Sequence, residues 1–392
     1  MTQLSLVIPA YNEENGILDI IQRILDVQDD LKKVDVTLTE LLVVDDGSKD
    51  KTAKLTQEIS VKHPVVRLVE HPQNKGYGAA LKTGFEMAKG DLVGFLDADG
   101  TYPPEYFPQL CTAALQGADL VIGSRMSGSD SQMPTTRYIG NRFFATLLSY
   151  ISGRHVTDSA SGMRIFKRNI LKQLYPLPDG LNLTPVMSTR ALHESINIIE
   201  VPIPYSERVG NSKLSVVRDG SIFLQSMLWT AMMYNPVRIL GFAGLAGIAV
   251  ALLAVILVVL ARLQGITTIT GWGLAGLFGA TVAGGVGANL FFLGVVFNYL
   301  VTFFHNTPIR QGLWGTPLRI EKRFGLLGTI SLIAGLLLGA VTTSLGLNGW
   351  ALTRLWLYFV SSTLLILAGT QLIIFWIIIQ ILDELKKRQL TL

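Results

Sequence analysis

LVGFLDADG, residues 92–100, is the stretch from which the fold is read: five apolar or small residues run directly into two aspartates separated by one alanine. A short apolar run bounded by turn residues reads as a buried strand. Its polar end is where a parallel sheet presents residues to a ligand. The same grammar occurs upstream. LSLVIPAYNEE at 4–14 and ELLVVDDGS at 40–48 each pass from an apolar run into acids, and VVRLV at 65–69 precedes NKGYG at 74–78. Strands are therefore expected at Leu4 to Ile8, Leu41 to Val44, Val65 to Val69, Leu92 to Leu96 and Leu120 to Ile122. Helical patterns separate them near Glu13 to Val27, Asp50 to Ser60, Tyr77 to Lys89 and Pro104 to Leu115. Strand and helix in alternation predict an α/β domain with a doubly wound, mostly parallel sheet.

Three of these strands end in carboxylates at one rim. Helix capping accounts for some of them, since Asp and Ser commonly begin helices. It does not account for all, because each helix needs one acceptor and crowding further acids costs repulsion. Converging carboxylates fit a divalent cation or the donors of a nucleoside. No G-x-G-x-x-G follows the first strand and no G-x-x-x-x-G-K-[ST] occurs, which weakens dinucleotide oxidoreductases and P-loop NTPases. Asn74-Lys75-Gly76-Tyr77-Gly78 opens a helix. Two readings stand for it, a phosphate site at a helix N-terminus or a plain glycine turn.

Taken in order, Pro9-Ala10-Tyr11-Asn12-Glu13, Val44-Asp45-Asp46-Gly47-Ser48, Asn74-Lys75-Gly76, Asp97-Ala98-Asp99 and Gly123-Ser124-Arg125 resemble the inverting family 2 glycosyltransferases with a GT-A, Rossmann-like fold. The likeness is closer to polyprenyl-phosphate sugar synthases, the group of dolichol-phosphate mannose synthase. It continues through Thr157-Asp158-Ser159-Ala160-Ser161-Gly162-Met163-Arg164 and Arg208-Val209-Gly210-Asn211-Ser212-Lys213-Leu214, covering about residues 4–235.

The resemblance implies a nucleotide-diphosphate sugar, UDP-glucose or GDP-mannose, as donor and a dolichyl- or undecaprenyl-type phosphate as acceptor. It implies that Pro9, Tyr11, Glu13 and Asp46 line the nucleoside pocket, with Lys75 counted among the donor-binding residues. Asp97 and Asp99 would offer hard oxygen ligands to Mg²⁺ or Mn²⁺ on the diphosphate, where the metal offsets charge on the leaving nucleotide. Relatives carry a metal-binding Gln two places after the second aspartate; here Thr101 stands there, leaving that position to water. Arg125, Arg137 and Asn141 match positions that hold the acceptor phosphate, for which arginine supplies bidentate geometry. Asp99, Asp158 and Arg125 are the catalytic candidates, Asp158 read as positioning the acceptor or an arginine ahead of acting as a base. Arg208, Ser212 and Lys213 match a loop closing over the donor pyrophosphate, against which stands a basic segment that holds lipid head groups.

Working outward from the acids, composition changes abruptly. Of 62 charged side chains, 50 precede Ile239, and four charge-free stretches follow: Ile239 to Ala261, Leu263 to Ile309, Phe324 to Thr353 and Leu355 to Leu382. Each exceeds the roughly 20 residues that cross a hydrocarbon core. The expected organisation is a catalytic domain at 1–214, an amphipathic juxtamembrane helix at 215–237 and an all-α transmembrane domain at 238–392, with spans near 239–261, 274–304, 325–346 and 355–382. Lys and Arg collect in the 305–323 loop and the 386–388 tail, seven against one each at Arg262 and Arg354. The positive-inside rule then puts both termini and the catalytic domain in the cytoplasm. Met1 to Ala10 lacks the basic start and long apolar run of a secretory signal.

Other classes fit less well. Basic charge is not clustered as nucleic-acid binding requires. One cysteine, Cys111, permits no intramolecular disulfide, and the five histidines show no zinc spacing. No charged residue sits mid-span to serve an ion path. Runs such as Gly284-Gly285-Val286-Gly287 suit close helix packing within one chain or a homo-oligomer. Two stretches read as interfacial: Arg137 to Ile151, where core packing weighs equally, and Ile222 to Tyr234 along the membrane surface. A processive polysaccharide synthase is the alternative enzyme, although Gln-x-x-Arg-Trp is absent. A non-catalytic membrane scaffold is the alternative outside catalysis, and the intact acid set opposes it.

Overall fold

The computed structural model describes residues 1–127, 132–194, 196–206, 215–266, 271–304 and 323–390. Two compact units divide the chain, Met1–Ala231 and Met232–Leu392. The first alternates β1 (Thr2–Ala10), α1 (Ile17–Asp26), α2 (Gln28–Lys33), β2 (Val36–Asp45), α3 (Thr52–Lys62), β3 (Val66–Glu70), α4 (Tyr77–Met87), β4 (Leu92–Phe95) and α5 (Phe107–Leu115). It continues through β5 (Leu120–Ser124), α6 (Thr135–Ser152), β6 (Arg164–Lys167), α7 (Leu171–Leu174), α8 (Leu183–His193), β7 (Ile198–Pro202) and α9 (Val216–Met232).

The strands form one sheet in the order β3-β2-β1-β4-β6-β5-β7. All pairings are parallel except those of β6, which runs antiparallel to both β4 and β5. Apolar residues cover both faces, which is why the central strands read as unbroken apolar runs. Leu4, Leu6 and Ile8 pack with α1 and α5 on one face, while Val7, Leu42, Val44 and Phe95 pack with α4 and α8 on the other. The mostly parallel, doubly wound α/β architecture expected from the alternation is present.

The reversal of strand order between β1 and β4 opens a crevice at the carboxyl ends of the strands. Antiparallel β6 adds to it. Because Phe95 at the end of β4 pairs with Arg164 at the start of β6, the segment entering β6 arrives at the same rim as the aspartates that leave β4. Helix α1 starts at Ile17, later than the pattern predicts, since Glu13 to Gly16 form a turn in which Gly16 and Ile17 both donate to the Glu13 carbonyl. The helical stretch expected from Pro104 begins as a 3-10 turn, Pro104–Tyr106, before α5.

The second unit contains α10 (Pro236–Leu263), α11 (Gly271–Phe304), α12 (Phe324–Leu347) and α13 (Leu352–Leu390). Each is long and apolar enough to cross a membrane, and this is an integral membrane protein. Glycines let paired helices touch by their backbones. A Cβ on Gly244 would lie 2.5 Å from the Gly287 carbonyl, and one on Gly369 2.5 Å from the Leu332 nitrogen. Those contacts join α10 to α11 and α12 to α13 within one chain. Phe292 of α11 meets Phe324 and Phe375 of α12 and α13, and Tyr299 donates to Asp383.

Candidate active site

The loops after β1 and β2 are stitched together by their own polar groups. Asn12, at φ 52°, donates its N–H to Ser48 Oγ at 2.9 Å and accepts from the Lys49 N–H at 2.8 Å. Glu13 N–H donates to Thr52 Oγ1 at 2.9 Å, and Glu14 N–H to Asp50 at 3.1 Å. Pro9, Tyr11 and Glu13 are thereby fixed on the wall of a cavity of about 480 Å³ that also takes in Asp46, Asp97 and Asp99.

Asp46 is buried and engaged on both oxygens. It accepts from the Lys75 and Gly76 N–H groups at 2.9 and 2.8 Å, and His71 Nδ1 lies 2.7 Å away. The second acid of the Asp-Asp-Gly-Ser motif therefore anchors the 74–76 turn. Lys75 takes part through its backbone only. Its side chain is exposed and is not among the residues that line the cavity.

The start of α4 favours the plain turn over the phosphate site. The Gly78 and Ala79 N–H groups already donate to the Asp179 carbonyl, at 2.7 and 3.1 Å. A Cβ on Gly78 would sit 2.2 Å from the Pro178 carbonyl oxygen, and one on Gly76, at φ +107°, 2.5 Å from that of Asp179. Both glycines admit the 178–180 backbone, which takes the donors an anion would need.

Asp97 is half-buried and accepts from the Tyr77 hydroxyl at 2.8 Å. Asp99 is buried, and its Oδ1 accepts from Thr101 Oγ1 at 2.5 Å and from the Thr101 N–H at 3.2 Å. Thr101, in place of the relatives' Gln, orients the carboxylate. Among the described residues no three His, Cys, Asp or Glu side chains cluster as a metal cage. Two cavity-lining carboxylates fit Mg²⁺ or Mn²⁺ all the same, because such ions take one or two carboxylates and complete their shell with phosphate oxygens and water.

Arg125, also on the cavity wall, is paired with Asp158, which is fully buried. Nε and Nη2 donate to the carboxylate at 2.7 and 2.8 Å, and the Arg125 N–H adds a third bond at 3.1 Å. The guanidinium also lies over the rings of Tyr102 and Tyr205, at 5.6 and 5.5 Å. Burial alone would raise the Asp158 carboxyl, but Arg125 holds it below the usual carboxylate range, and the partner's pull keeps Arg125 charged. Asp158 does not line the cavity. Its place is behind Arg125, which it holds through the guanidinium bonds. Glu200 of β7 fixes the Asp158 backbone by accepting the Thr157 and Asp158 N–H groups at 2.9 Å.

Helix α6 brings Arg137, Asn141 and Phe144 onto the cavity wall at successive turns. Phe144 meets Phe223 of α9 at 6.1 Å. The helix divides its apolar residues, burying Leu148 and Ile151 in the domain while leaving Phe143 54% exposed. Helix α9 does likewise, with Met227 inside and Trp229 60% exposed. Gly180 and Leu181, just before α8, and Thr184 in its first turn form part of the wall. Tyr77, Tyr102 and Tyr205 carry no signal in sequence, because their contacts with Asp97 and Arg125 join residues 20 or more positions apart. Arg208, Ser212 and Lys213 lie outside the described residues.

The "Glycosyl transferase family 2" profile matches residues 5–175, and a "Domain of unknown function (DUF8752)" matches 236–392. The chain is 31% identical over 225 residues to a dolichyl-phosphate hexose transferase of Haloferax volcanii, covering 57% of this chain and 92% of that protein. It is 32% identical over 235 residues to the low-salt glycan biosynthesis hexosyltransferase Agl6 of the same organism, spanning 59% of this chain and only 54% of that one. An undecaprenyl-phosphate 4-deoxy-4-formamido-L-arabinose transferase of Edwardsiella ictaluri is 31% identical over 244 residues, 62% of this chain and 71% of that protein. Among solved structures, glucosyl-3-phosphoglycerate synthase from Mycobacterium tuberculosis, in complex with Mn²⁺, UDP and phosphoglyceric acid, is similar at 23% identity and a TM-score of 0.46. That match covers 59% of this chain and 78% of the other.

Proposed function

The chain belongs to glycosyl transferase family 2 and resembles its polyprenyl-phosphate sugar transferases, and from that premise we propose that it moves one hexose, glucose or mannose, from a nucleotide-diphosphate sugar to a polyprenyl phosphate with inversion. The observation that carries this reading is the composition of one cavity. Its wall brings together the carboxylates of Glu13, Asp97 and Asp99, the polar and cationic groups of Arg125, Arg137 and Asn141, and the rings of Phe144 and Phe223. A polar donor and a phosphate with an apolar tail match that set of groups.

In the reaction a phosphate oxygen of the acceptor attacks the anomeric carbon, the bond from that carbon to the diphosphate breaks, and the nucleoside diphosphate leaves. The acceptor needs no base, since a phosphate monoester with a second pKa of about 6 is already an oxyanion at neutral pH. Positioning then does most of the catalysis. Arg137 and Asn141 hold the phosphate, Arg125 adds charge from a guanidinium that Asp158 orients, and Tyr11 with Glu13 receives the nucleoside. Asp97 and Asp99 would hold a divalent cation, which when bound offsets the charge on the departing diphosphate. The exposed apolar residues of α6 and α9, including Phe143 and Trp229, suit contact with the membrane surface where the acceptor resides. Both termini and the catalytic unit are cytoplasmic, as the loop charges require.

The test is transfer of label from UDP-glucose and GDP-mannose, separately, with Mg²⁺ or Mn²⁺ and a short polyprenyl phosphate. Label in the organic phase with one donor identifies sugar and base together. EDTA removes the signal, and Asp99→Ala lowers it by about 100-fold or more in folded, membrane-inserted protein. Label only in insoluble glycan refutes the lipid acceptor.

A further inference from the structure

Asp97 sits in a cradle that the motif around it does not encode. The Tyr77 hydroxyl donates to its Oδ1 at 2.8 Å from the first residue of α4. On the other side the carboxylate lies flat against the backbone of Gly162. A Cβ built there would be 2.4 Å from Oδ2 and 2.7 Å from both Cγ and Oδ1. Gly162 is not among the glycines at positive φ, so an alanine suits its backbone, and the three heavy atoms nearest its Cβ all belong to the Asp97 carboxylate.

The wall is also braced. Gly162 N–H donates to the Tyr102 hydroxyl at 2.6 Å, and Ser161 Oγ to the Gly123 carbonyl at 2.6 Å. The buried Arg164 guanidinium clasps the same segment, donating to the Ser161 and Ser159 carbonyls at 3.0 and 2.9 Å. A carboxylate with a hydroxyl donor on one oxygen and a rigid backbone against its face cannot rotate freely. Orientation of this kind sets how well a ligating carboxylate meets its ion.

We propose that Tyr77 and Gly162 are positioning residues for the metal, together fixing the Asp97 carboxylate in the orientation that binds the divalent cation. The inference rests on the proposed role of Asp97 as a metal ligand. Neither residue touches the donor diphosphate in this account; both act through Asp97.

The experiment titrates Mn²⁺ into full-length protein by electron paramagnetic resonance, alone and with UDP or GDP. Wild type is compared with Tyr77→Phe, Gly162→Ala and Asp97→Asn, and nucleotide affinity is measured separately in EDTA. Tyr77→Phe keeps the ring and removes only the hydroxyl. The expected result is a Kd for Mn²⁺ raised about 10-fold or more in Tyr77→Phe and in Gly162→Ala, with melting temperature and metal-free nucleotide affinity held. A merely structural role would move those two readouts as well. Wild-type Mn²⁺ affinity in Tyr77→Phe and Gly162→Ala, with binding lost in Asp97→Asn, overturns the cradle and leaves the metal site standing. No Mn²⁺ binding to wild type with either nucleotide overturns both.

Discussion

At 0% exposure, Asp158 accepts three bonds from Arg125 and one from the Ala160 N–H, and it stands 33 residues away from its partner in sequence. Such a pair is worth little as a net stabiliser, yet breaking it leaves a buried charge uncompensated at a cost of about 3–5 kcal/mol. Asp158→Asn should therefore lower the melting temperature by on the order of 10 °C, and it should raise KM for the lipid acceptor more than that for the donor. Calorimetry and separate substrate titrations check the two parts. The pH dependence follows from the direction of the shift. Because the carboxyl titrates lower in the folded protein than its ordinary value near 3.9, its contribution is complete above about pH 4 and fades only as pH falls further. Between pH 5 and pH 8 the gap in melting temperature between wild type and Asp158→Asn should stay constant. At this scale the acids after β1, β2 and β4 were legible from sequence, since strand ends present them together. That Asp46 serves a turn was not, and for Asp158 the sequence left open whether it positions an arginine or the acceptor.

Helix α4 shows what an element can conceal. Its glycine-rich start has the composition of a phosphate site, but the 178–180 segment occupies its donors. The obstruction on Gly78 is a backbone carbonyl 2.2 Å from any Cβ, and a carbonyl held in a wall does not swing aside like a side chain. Gly78→Ala should destabilise the catalytic unit by about 1–3 kcal/mol, the cost of overpacking, and displace the wall formed by Gly180 and Leu181. Thermal unfolding of the full-length variant, together with a weaker response to the acceptor, checks this. Helix α6 is the companion case. Its apolar residues looked like one face in sequence, and in the fold they serve two, because a helix wedged at a domain edge buries Leu148 and Ile151 while presenting Phe143 outward.

For the whole molecule, four helices among the described residues are long and apolar enough to cross a membrane, and four crossings would return the chain to the side of the catalytic unit. The proposed orientation makes that side, with Lys386, Lys387 and Arg388 near the end of α13, the cytoplasm. A reporter fused to the C-terminus should fluoresce when it is green fluorescent protein and stay inactive when it is alkaline phosphatase, and the protein should resist alkaline extraction from membranes. The opposite reporter pattern would invert the topology. The glycine contacts that join α10 to α11 and α12 to α13 are made within the chain, so the small residues need no second copy to explain them.

Sequence by itself determined the alternating α/β catalytic domain, the four apolar spans and the rim of acids. These follow from local periodicity, from hydrophobic length and from the fact that parallel strands end on the same side. It also bore the family resemblance. Only the tertiary structure decided which polar groups meet. The strand β6 is too short to announce itself, and its antiparallel direction is set by its neighbours β4 and β5. That direction carries residues 158–163 to the rim, placing Gly162 against Asp97 and Asp158 behind Arg125. Contacts across a sheet depend on strand order and register, which are properties of the packed chain rather than of any segment in it.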